Sequence, residues 1–315
     1  MSEKSSAASA VFHGWGNQLL PLLGLAFLII LALSTPGFIS LPNLMALTGT
    51  ISLVGCVAIG MTFITMSGNI MSFALGATAA ATSMLVAYYS PIGGGISILI
   101  GLLFAVVVSA AQGILVGVFR SNPLIVSIAS LSLLFGAAQY LSGGQSMYVE
   151  GDVFAWLKAR PLGIPATLLV FVAVALCGEL ILRSTRFGVH TRLVGSNIHA
   201  SVVAGIRSWR TVTGCYAIAG LFSGVCGVLL AARFGSGTME FGIGYDYSAI
   251  SAVLVGGTAI SGGSGSVLRT VVGVLVIAVL QSILLLRGFE TQYQYFLIGL
   301  IVLGAILIQG RRAAT

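Results

Sequence analysis

The sequence predicts an all-α, polytopic membrane protein that crosses the bilayer about ten times, with both termini on the cytoplasmic side. The first observation is composition: 57% of the 315 residues are hydrophobic, 7% are charged, and the mean hydropathy is +1.09. An average soluble domain carries about 25% charged residues. The second is a series of apolar runs close to the ~20 residues that a helix needs to cross the hydrocarbon core. The third is an uneven distribution of arginine among the connecting segments.

The apolar runs predict ten spans, and two junctions between them are irregular. Ser67-Gly68-Asn69 is very short for a surface turn, and the run over 248–260 is too short to cross unaided. One or both are therefore candidates for helices broken within the membrane, which is tolerated where the freed backbone faces protein or a wet cavity. The ten runs are 19–34, 44–66, 70–89, 96–119, 124–141, 164–182, 212–232, 248–260, 267–286 and 293–308.

The polar segment 183–210 fixes the orientation of these spans. It contains five arginines and two histidines but no acidic residue. Cytoplasmic loops carry an excess of Lys and Arg, so we expect this loop inside. Alternating from there brings ten of the fourteen cationic residues inside and leaves five of the seven acidic residues outside. The predicted organisation is a cytoplasmic tail (1–18), a transmembrane domain (19–310) that contains the cytoplasmic loop 183–210, and a cytoplasmic tail (311–315).

A short helix over 197–205 is expected within this loop. Ser196 or Asn197 suits its N-cap, and Gly205 suits its C-terminal end. We interpret it as a docking helix for a cytoplasmic partner. A solvated connector that only satisfies topology is the alternative.

Catalytic, metal and nucleic-acid functions find no support in the residues. No G-x-x-x-x-G-K-[ST] motif occurs, so this chain does not hydrolyse ATP by itself. The four cysteines lie in apolar runs without CxxC spacing, which predicts no metal site. The net charge of +7 is spread over loop ends, which fits topology and anionic membrane lipid rather than nucleic acid. Glu179, four residues before Arg183, is expected to pair with it rather than to relay protons.

The break at Gly68-Asn69 concentrates uncharged hydrogen-bonding groups and two phenyl rings. Such groups suit a neutral, hydroxyl-rich solute, so we assign them to the translocation pathway. In the alternative, the hydroxyls bond back to their own helix and the glycines only allow close packing. A second dense stretch of small residues, over 242–266, is more typical of a packing seam between helices. The predicted pathway residues are Thr62, Phe63, Ser67, Asn69, Ser72 and Phe73.

Three segments in register carry a resemblance to a known family. They are Gly60-Met61-Thr62 leading into Ser67-Gly68; Thr185-Arg186-Phe187-Gly188 through Gly195-Ser196-Asn197 to Ala204-Gly205-Ile206; and Gly244-Tyr245 through Ala249-Ile250-Ser251-Ala252-Val253 to Gly256-Gly257-Thr258 and Gly262-Gly263. With these segments the chain resembles, over nearly its whole length, the permease subunit of ribose-type bacterial ABC sugar importers. Branched-chain amino acid permeases share the general pattern.

The resemblance implies a multi-pass subunit of the bacterial inner membrane with several partners. It implies a second permease copy or a paralogue, two cytoplasmic ATPase subunits, and a periplasmic sugar-binding protein. ATP and magnesium would be bound by the ATPase, so no cofactor is expected in this chain. In such importers a short helix after the Thr-Arg-x-Gly segment docks on the ATPase. Carried over to this sequence, the coupling residues are Ser196, Asn197, His199, Ala200, Val203 and Gly205.

One departure from the family pattern bears on assembly. The family reads Ser-Gly-Gly-Ile-Asp-Leu-Ser after Gly-Met-Thr, whereas Met71 stands here where the aspartate is expected. A heteromeric partner that keeps the aspartate is therefore a hypothesis. We expect a permease for a monosaccharide or related solute. The alternatives are a permease for a branched-chain amino acid or nucleoside, a secondary transporter, and a membrane scaffold without transport.

Overall fold

The computed structural model describes residues 28–159, 163 and 165–313. Its longest described helix, Ser208–Phe234, lies at the centre of the bundle. The elements are α1 (Leu41–Met66), α2 (Leu75–Tyr88), α3 (Gly94–Gly117), α4 (Pro123–Ser142), β1 (Met147–Tyr148), α5 (Ala155–Lys158), α6 (Ala166–Ser184), α7 (Arg186–Ser196), α8 (Ile198–Val203), α9 (Ser208–Phe234), β2 (Ser236–Gly237), α10 (Tyr245–Val255), α11 (Val267–Leu286) and α12 (Thr291–Ala313), with 3-10 turns at Ser90–Ile92 and Met239–Gly242.

The predicted helical membrane protein is confirmed in its coarse form. Six helices of the described chain are long and apolar enough to cross a membrane, namely α1, α3, α4, α6, α9 and α11. They coincide with six of the ten predicted spans. Most of the first predicted span, residues 19–27, lies outside the described residues, although 28–33 are helical. The tenth predicted span corresponds to α12.

The third and eighth predicted spans are shorter than expected. α2 has 14 residues and α10 has 11, which correspond to about 21 Å and about 16 Å of helix. Neither length matches a hydrocarbon core of about 30 Å. Four of the eight non-helical residues between α1 and α2 are buried, as is Thr258 between α10 and α11. The helical structure is interrupted at these two junctions, and the placement of the breaks within the membrane stays a prediction.

Two prolines that precede the predicted spans 44–66 and 124–141 lie in the first turn of a helix. Pro42 is at the start of α1, and Pro123 is the first residue of α4. Proline is favoured there because the first N–H groups of a helix have no internal partner. At α4 the Asn122 side chain completes the cap by accepting a hydrogen bond from the Leu124 N–H at 2.9 Å.

Glycine lets α9 approach its neighbours at backbone distance. A Cβ at Gly220 would lie 2.4 Å from the Ala105 carbonyl oxygen of α3, and one at Gly227 would lie 2.4 Å from that of Ala79 in α2. On α1, a Cβ at Gly60 would lie 2.9 Å from the Ala219 carbonyl oxygen. Small residues at helix interfaces drive such association by van der Waals packing, since lipid offers no hydrophobic advantage. These glycines explain why α9 contacts α1, α2 and α3 most extensively.

The two ends of α9 define two ends of the molecule. At the ribbon end, β1 and β2 pair antiparallel, with Met147 opposite Gly237. This ribbon and the short helix α5 lie between the predicted spans, outside the apolar runs. At the other end, which we call the α8 end, lie α7, α8 and the start of α9. α1 runs from the ribbon end towards the α8 end, because the guanidinium of Arg233 packs on Gly49 while Met66 contacts Gly195.

The coupling loop 183–210 is almost entirely helical, which the sequence analysis did not predict. α6 extends through Ser184, α7 occupies Arg186–Ser196, and only α8 corresponds to the predicted helix. The Thr185 hydroxyl caps α7 by accepting from the Gly188 N–H at 3.2 Å. A threonine at the N-cap was the signal for this helix.

Candidate functional site

α8 is an exposed helix whose start is fixed by a single side chain. The structure selects Asn197 over Ser196 as the N-cap: its Oδ1 accepts a hydrogen bond from the Ala200 N–H at 3.0 Å. Ser196 is exposed, and its hydroxyl donates to the Leu193 carbonyl at the end of α7. His199 and Ala200 are also exposed. The predicted helix is therefore confirmed, and the coupling role of its residues stays a prediction.

The outward face of α8 is apolar. Val203 is 90% exposed and Val202 is 55% exposed, with Ile198 beside them at 48%. Only Ser201 of this helix is buried, and its hydroxyl lies 3.2 Å from that of Ser208 at the start of α9. Gly205 follows with φ of +77°, a conformation that glycine adopts without strain and that ends the helix. α8 thus presents branched apolar side chains while it is anchored to the central helix.

Three chain segments meet directly beside α8 in what we call the glycine junction, formed by Gly68, Gly195, Gly262 and Gly263. The Gly263 N–H donates to the Met66 carbonyl oxygen at 3.0 Å. A Cβ at Gly195 would lie 1.9 Å from that oxygen, and one at Gly262 would lie 2.5 Å from the Cα of Gly68. The end of α7 therefore touches both interrupted regions of the bundle through backbone atoms.

The two short helices begin next to one another. Asp246, in the first turn of α10, accepts a hydrogen bond from the Gly76 N–H, in the first turn of α2, at 2.8 Å. A Cβ at Gly76 would lie 2.6 Å from the Gly242 carbonyl oxygen. From this meeting point α2 runs towards the ribbon end, where Gly237 packs on Ser83. α10 runs the other way, towards the glycine junction.

Of the predicted pathway residues, Thr62 and Phe63 are fully buried in the protomer. The Thr62 hydroxyl lies 2.7 Å from that of Thr270 and donates to the Ala58 carbonyl of its own helix. Phe63 packs against Phe222 with ring centroids 5.9 Å apart. Both side chains are part of the packing between helices in the protomer, and their assignment to the translocation pathway stays a prediction.

The other four lie along the non-helical segment after α1. Ser67 is buried and accepts a hydrogen bond from the half-buried Asn69 side chain at 2.8 Å. Ser72 is buried and accepts from the Ala74 N–H at 3.3 Å. Phe73 is the one of the six that lines the larger described cavity. Met71, at the position of the expected aspartate, is 7% exposed and belongs to the main hydrophobic core.

This cavity has a volume of about 350 Å³ and opens beside the meeting point of α2 and α10. Asp246 is at its wall, and Tyr247 packs edge-on against Phe73 with ring centroids 6.0 Å apart. α4 supplies the opposite wall. The lining residues are Phe73, Ala77, Leu131, Ser132, Phe135, Met239, Gly242, Ile243, Gly244, Asp246 and Tyr247.

Asp246 was misplaced by the sequence analysis, which put it in an outer loop. It is only 7% exposed and sits within the bundle. The signal was present in the sequence: an acid directly before a run of small residues is typical of a first helical turn, where the helix dipole favours negative charge.

Glu179 forms the predicted pair with Arg183, at 3.6 Å. Its other carboxylate oxygen accepts from the Val267 N–H at 2.9 Å and from the Leu268 N–H at 3.3 Å, so it also caps α11. Cys177 is exposed on α6, whereas the other three cysteines are buried. Within the described part of the chain, no group of three His, Cys, Asp or Glu side chains is arranged to hold a metal ion.

Membrane-length helices packed through glycine define a polytopic integral membrane protein. The chain belongs to the family described as branched-chain amino acid transport system / permease component, whose model matches residues 43–306. The predicted multi-pass permease of the bacterial inner membrane is thereby confirmed. A permease component works with the other components of its transport system.

Characterised relatives cover most of the chain. It is 30% identical to the ribose import permease protein RbsC of Bacillus subtilis (strain 168), over 96% of each chain. It is 32% identical to the probable ABC transporter permease protein YphD of Escherichia coli (strain K12), over 92% of this chain and 89% of that one. It is 30% identical to the L-arabinose transport system permease protein AraH of the same strain, over 93% and 90%. No solved structure is significantly similar to the chain.

Proposed function

We propose that this chain is the membrane-spanning subunit of an ATP-driven importer that moves a monosaccharide or a related solute into the cell. Its relatives include import permeases for ribose and for L-arabinose, two neutral pentoses. A periplasmic binding protein delivers the solute, and cytoplasmic ATPase subunits bind ATP and magnesium. The chain itself contributes the pathway and the surface on which the ATPase acts.

The observation that carries this proposal is the glycine junction beside α8. ATP-driven closure of the ATPase subunits moves α8, whose exposed Ile198, Val202 and Val203 form the docking surface. At Gly195 the backbone of α7 is in direct contact with the ends of both interrupted segments, so α7 cannot move without displacing them. A displacement of α8 therefore reaches α10 and the segment after α1 together. Alternating access follows because these segments line the interior rather than the lipid.

The proposed topology has ten spans with both termini in the cytoplasm and the α8 end inside. Exposed arginines at the α8 end support it, as do the acidic residues around β1, although Arg233 at the opposite end of α9 is one of the four cationic residues that this orientation leaves outside. In this orientation α10 occupies the cytoplasmic half of the membrane and α2 the outer half. Ser67, Asn69, Ser72 and Phe73 belong to the segment that completes the crossing of α2.

A second permease chain completes the pathway. α4 is the least buried of the six long helices. Only 11% of the 18 residues in its apolar stretch are buried within the protomer, against 78% for α9. It exposes Ser132 and Gln139 as well as leucines. Polar side chains on a transmembrane helix normally face protein or a wet cavity rather than lipid. The partner is a second copy or a paralogue that keeps the aspartate replaced here by Met71.

The test is transport by the purified complex in proteoliposomes, reconstituted with the ATPase subunits and the binding protein of the same transport system. We expect ATP-dependent accumulation of D-ribose, L-arabinose or a similar sugar. A branched-chain amino acid importer is the second candidate, favoured by the description of the matching family. Accumulation of L-leucine and not of any sugar would select it. Accumulation that needs no ATPase would instead identify a secondary transporter.

A further inference from the structure

The cavity beside the meeting point of α2 and α10 has the size and lining of a small-molecule site. Its volume of about 350 Å³ lies at the lower end of the range for ligand pockets, about 300–1,000 Å³. Such pockets combine apolar and aromatic walls with a few polar groups that fix the ligand. Here the aromatic walls are Phe73, Phe135 and Tyr247, and the polar groups are Asp246 and Ser132.

The polar groups of this cavity define which ligand it accepts. The Asp246 carboxylate is held in place because it accepts the Gly76 N–H at 2.8 Å. The Ser132 hydroxyl donates to the Ile128 carbonyl at 3.1 Å, so its oxygen faces a ligand as an acceptor. Acceptors suit a ligand that donates hydroxyl hydrogens. Among the described residues that line the cavity there is no lysine or arginine, so nothing there pairs with an anionic ligand.

The aromatic groups complete a wall for a sugar ring. The rings of Phe73 and Tyr247 meet edge to face, and that of Tyr295 lies 6.4 Å from Tyr247. Tyr247 is 57% exposed, so much of its ring is free to contact a ligand. One face of a monosaccharide presents C–H groups that pack on an aromatic ring, while its hydroxyls point to the side. An acceptor beside an exposed ring matches that chemistry.

We propose that this cavity is the solute-contact site of each protomer and that its ligand is a neutral polyhydroxy molecule. The solute hydroxyls donate to Asp246 and the apolar face of the solute packs on Tyr247 and Phe73. The proposal rests on the proposed function, and it favours a sugar over an amino acid, whose carboxylate finds no cation in this wall. The site lies where α10 begins, so movement of α10 by the ATPase changes its shape and releases the solute.

The test uses the complete transporter in proteoliposomes with two readouts, namely sugar uptake and ATPase stimulation by the sugar-loaded binding protein. The variants are Tyr247→Ala and Asp246→Asn, and the matched control is Tyr88→Ala, which removes an exposed ring at the far end of α2. We expect Tyr247→Ala to lower uptake of D-ribose or L-arabinose about ten-fold, the order expected when an aromatic contact is lost. ATPase stimulation should stay within about two-fold of wild type, as should both readouts for Tyr88→Ala.

Asp246→Asn provides a second, chemical readout because the amide oxygen still accepts the Gly76 N–H. Deoxy analogues of the transported sugar identify the hydroxyl whose removal lowers wild-type uptake most. In Asp246→Asn the penalty for removing that hydroxyl should shrink several-fold, because the second oxygen of the carboxyl group is replaced by an amide nitrogen that cannot accept a hydrogen bond. If Tyr247→Ala disrupts assembly, Phe73→Leu tests the same wall.

The outcomes distinguish the claim that this cavity contacts the solute from the claim that the complex imports a sugar. If the wild-type complex takes up sugar and the variants Tyr247→Ala, Phe73→Leu and Asp246→Asn behave like the control Tyr88→Ala, the cavity is not the solute-contact site. The proposed function would then still stand. Failure of the wild-type complex to accumulate any monosaccharide would overturn the proposed function and this site with it. Selective loss of uptake with ATPase stimulation retained would support both.

Discussion

Replacing Gly195 by alanine tests whether the glycine junction is closed at backbone distance. The added Cβ would lie 1.9 Å from the Met66 carbonyl oxygen and 2.6 Å from the Gly263 nitrogen. Both are backbone atoms, so no side chain can turn away to make room. The φ angle of Gly195 is in the ordinary range, which means that alanine suffers no conformational strain of its own. The effect is therefore confined to the clash.

The magnitude follows from two contributions. Forcing a methyl group into a packed interior costs typically about 1–3 kcal/mol. The Gly263 N–H to Met66 hydrogen bond, 3.0 Å long, lies at the point of the clash and contributes about 1 kcal/mol. We therefore expect Gly195→Ala to lower the free energy of unfolding by about 3 kcal/mol, and to lower uptake beyond what the loss of folded protein explains, because α7 shifts relative to both interrupted segments.

The assay is reversible unfolding of the purified permease in mixed detergent micelles, followed by uptake measurements at equal amounts of folded protein. Gly299→Ala is the matched control, since a Cβ at Gly299 meets nothing within 4 Å. It should be neutral or stabilise α12 by up to about 1 kcal/mol. A Gly195→Ala protein within about 0.5 kcal/mol of wild type and with normal uptake would refute a close-packed junction.

Three further substitutions probe neighbouring claims. Asn197→Ala removes the cap of α8, so it should cost about 1 kcal/mol of helix stability and weaken ATPase binding, whereas Asn197→Asp keeps an acceptor and should bind normally. Equal ATPase affinity of the wild type and both variants would contradict a role of this cap in docking. Glu179→Ala leaves the Val267 N–H without its acceptor and should lower the free energy of unfolding by about 1–3 kcal/mol. Glu179→Gln should lower it little, because the amide oxygen still accepts from Val267 and the lost ion pair with exposed Arg183 is weak. Thr62→Val should lower stability by about 1 kcal/mol and leave the specificity of uptake unchanged; altered sugar preference would return Thr62 to the pathway.

The long helices could be predicted from the sequence because each depends on a local property. Apolar runs of sufficient length predicted α1, α3, α4, α6, α9 and α11, and the cap at Asn197 with Gly205 predicted α8. The breaks after Met66 and Val255 were predicted from their glycines and short lengths. Hydropathy did not predict the first residues of α1 and α4. These helices include Pro42 and Pro123 in their first turn, because a first turn tolerates a missing N–H.

The candidate site was harder to predict because it depends on contacts between distant segments. Asp246 and Gly76 are separated by 170 positions, and nothing local indicates that two helices begin side by side. Thr62 was assigned to the pathway for its hydroxyl, but that hydroxyl is bonded to Thr270 within the bundle. Residue type alone does not reveal whether a polar group on a transmembrane helix faces a cavity or a neighbouring helix.

Photo-crosslinking in the active transporter tests most directly that ATP-driven movement enters through α8. A photoreactive residue at position 203, which is 90% exposed, should crosslink to the ATPase subunit. The same residue at position 148, which is 74% exposed in β1 at the ribbon end, should not. Crosslinking of the ATPase at 148, or its absence at 203 in a complex that transports, would contradict both the orientation and the docking surface.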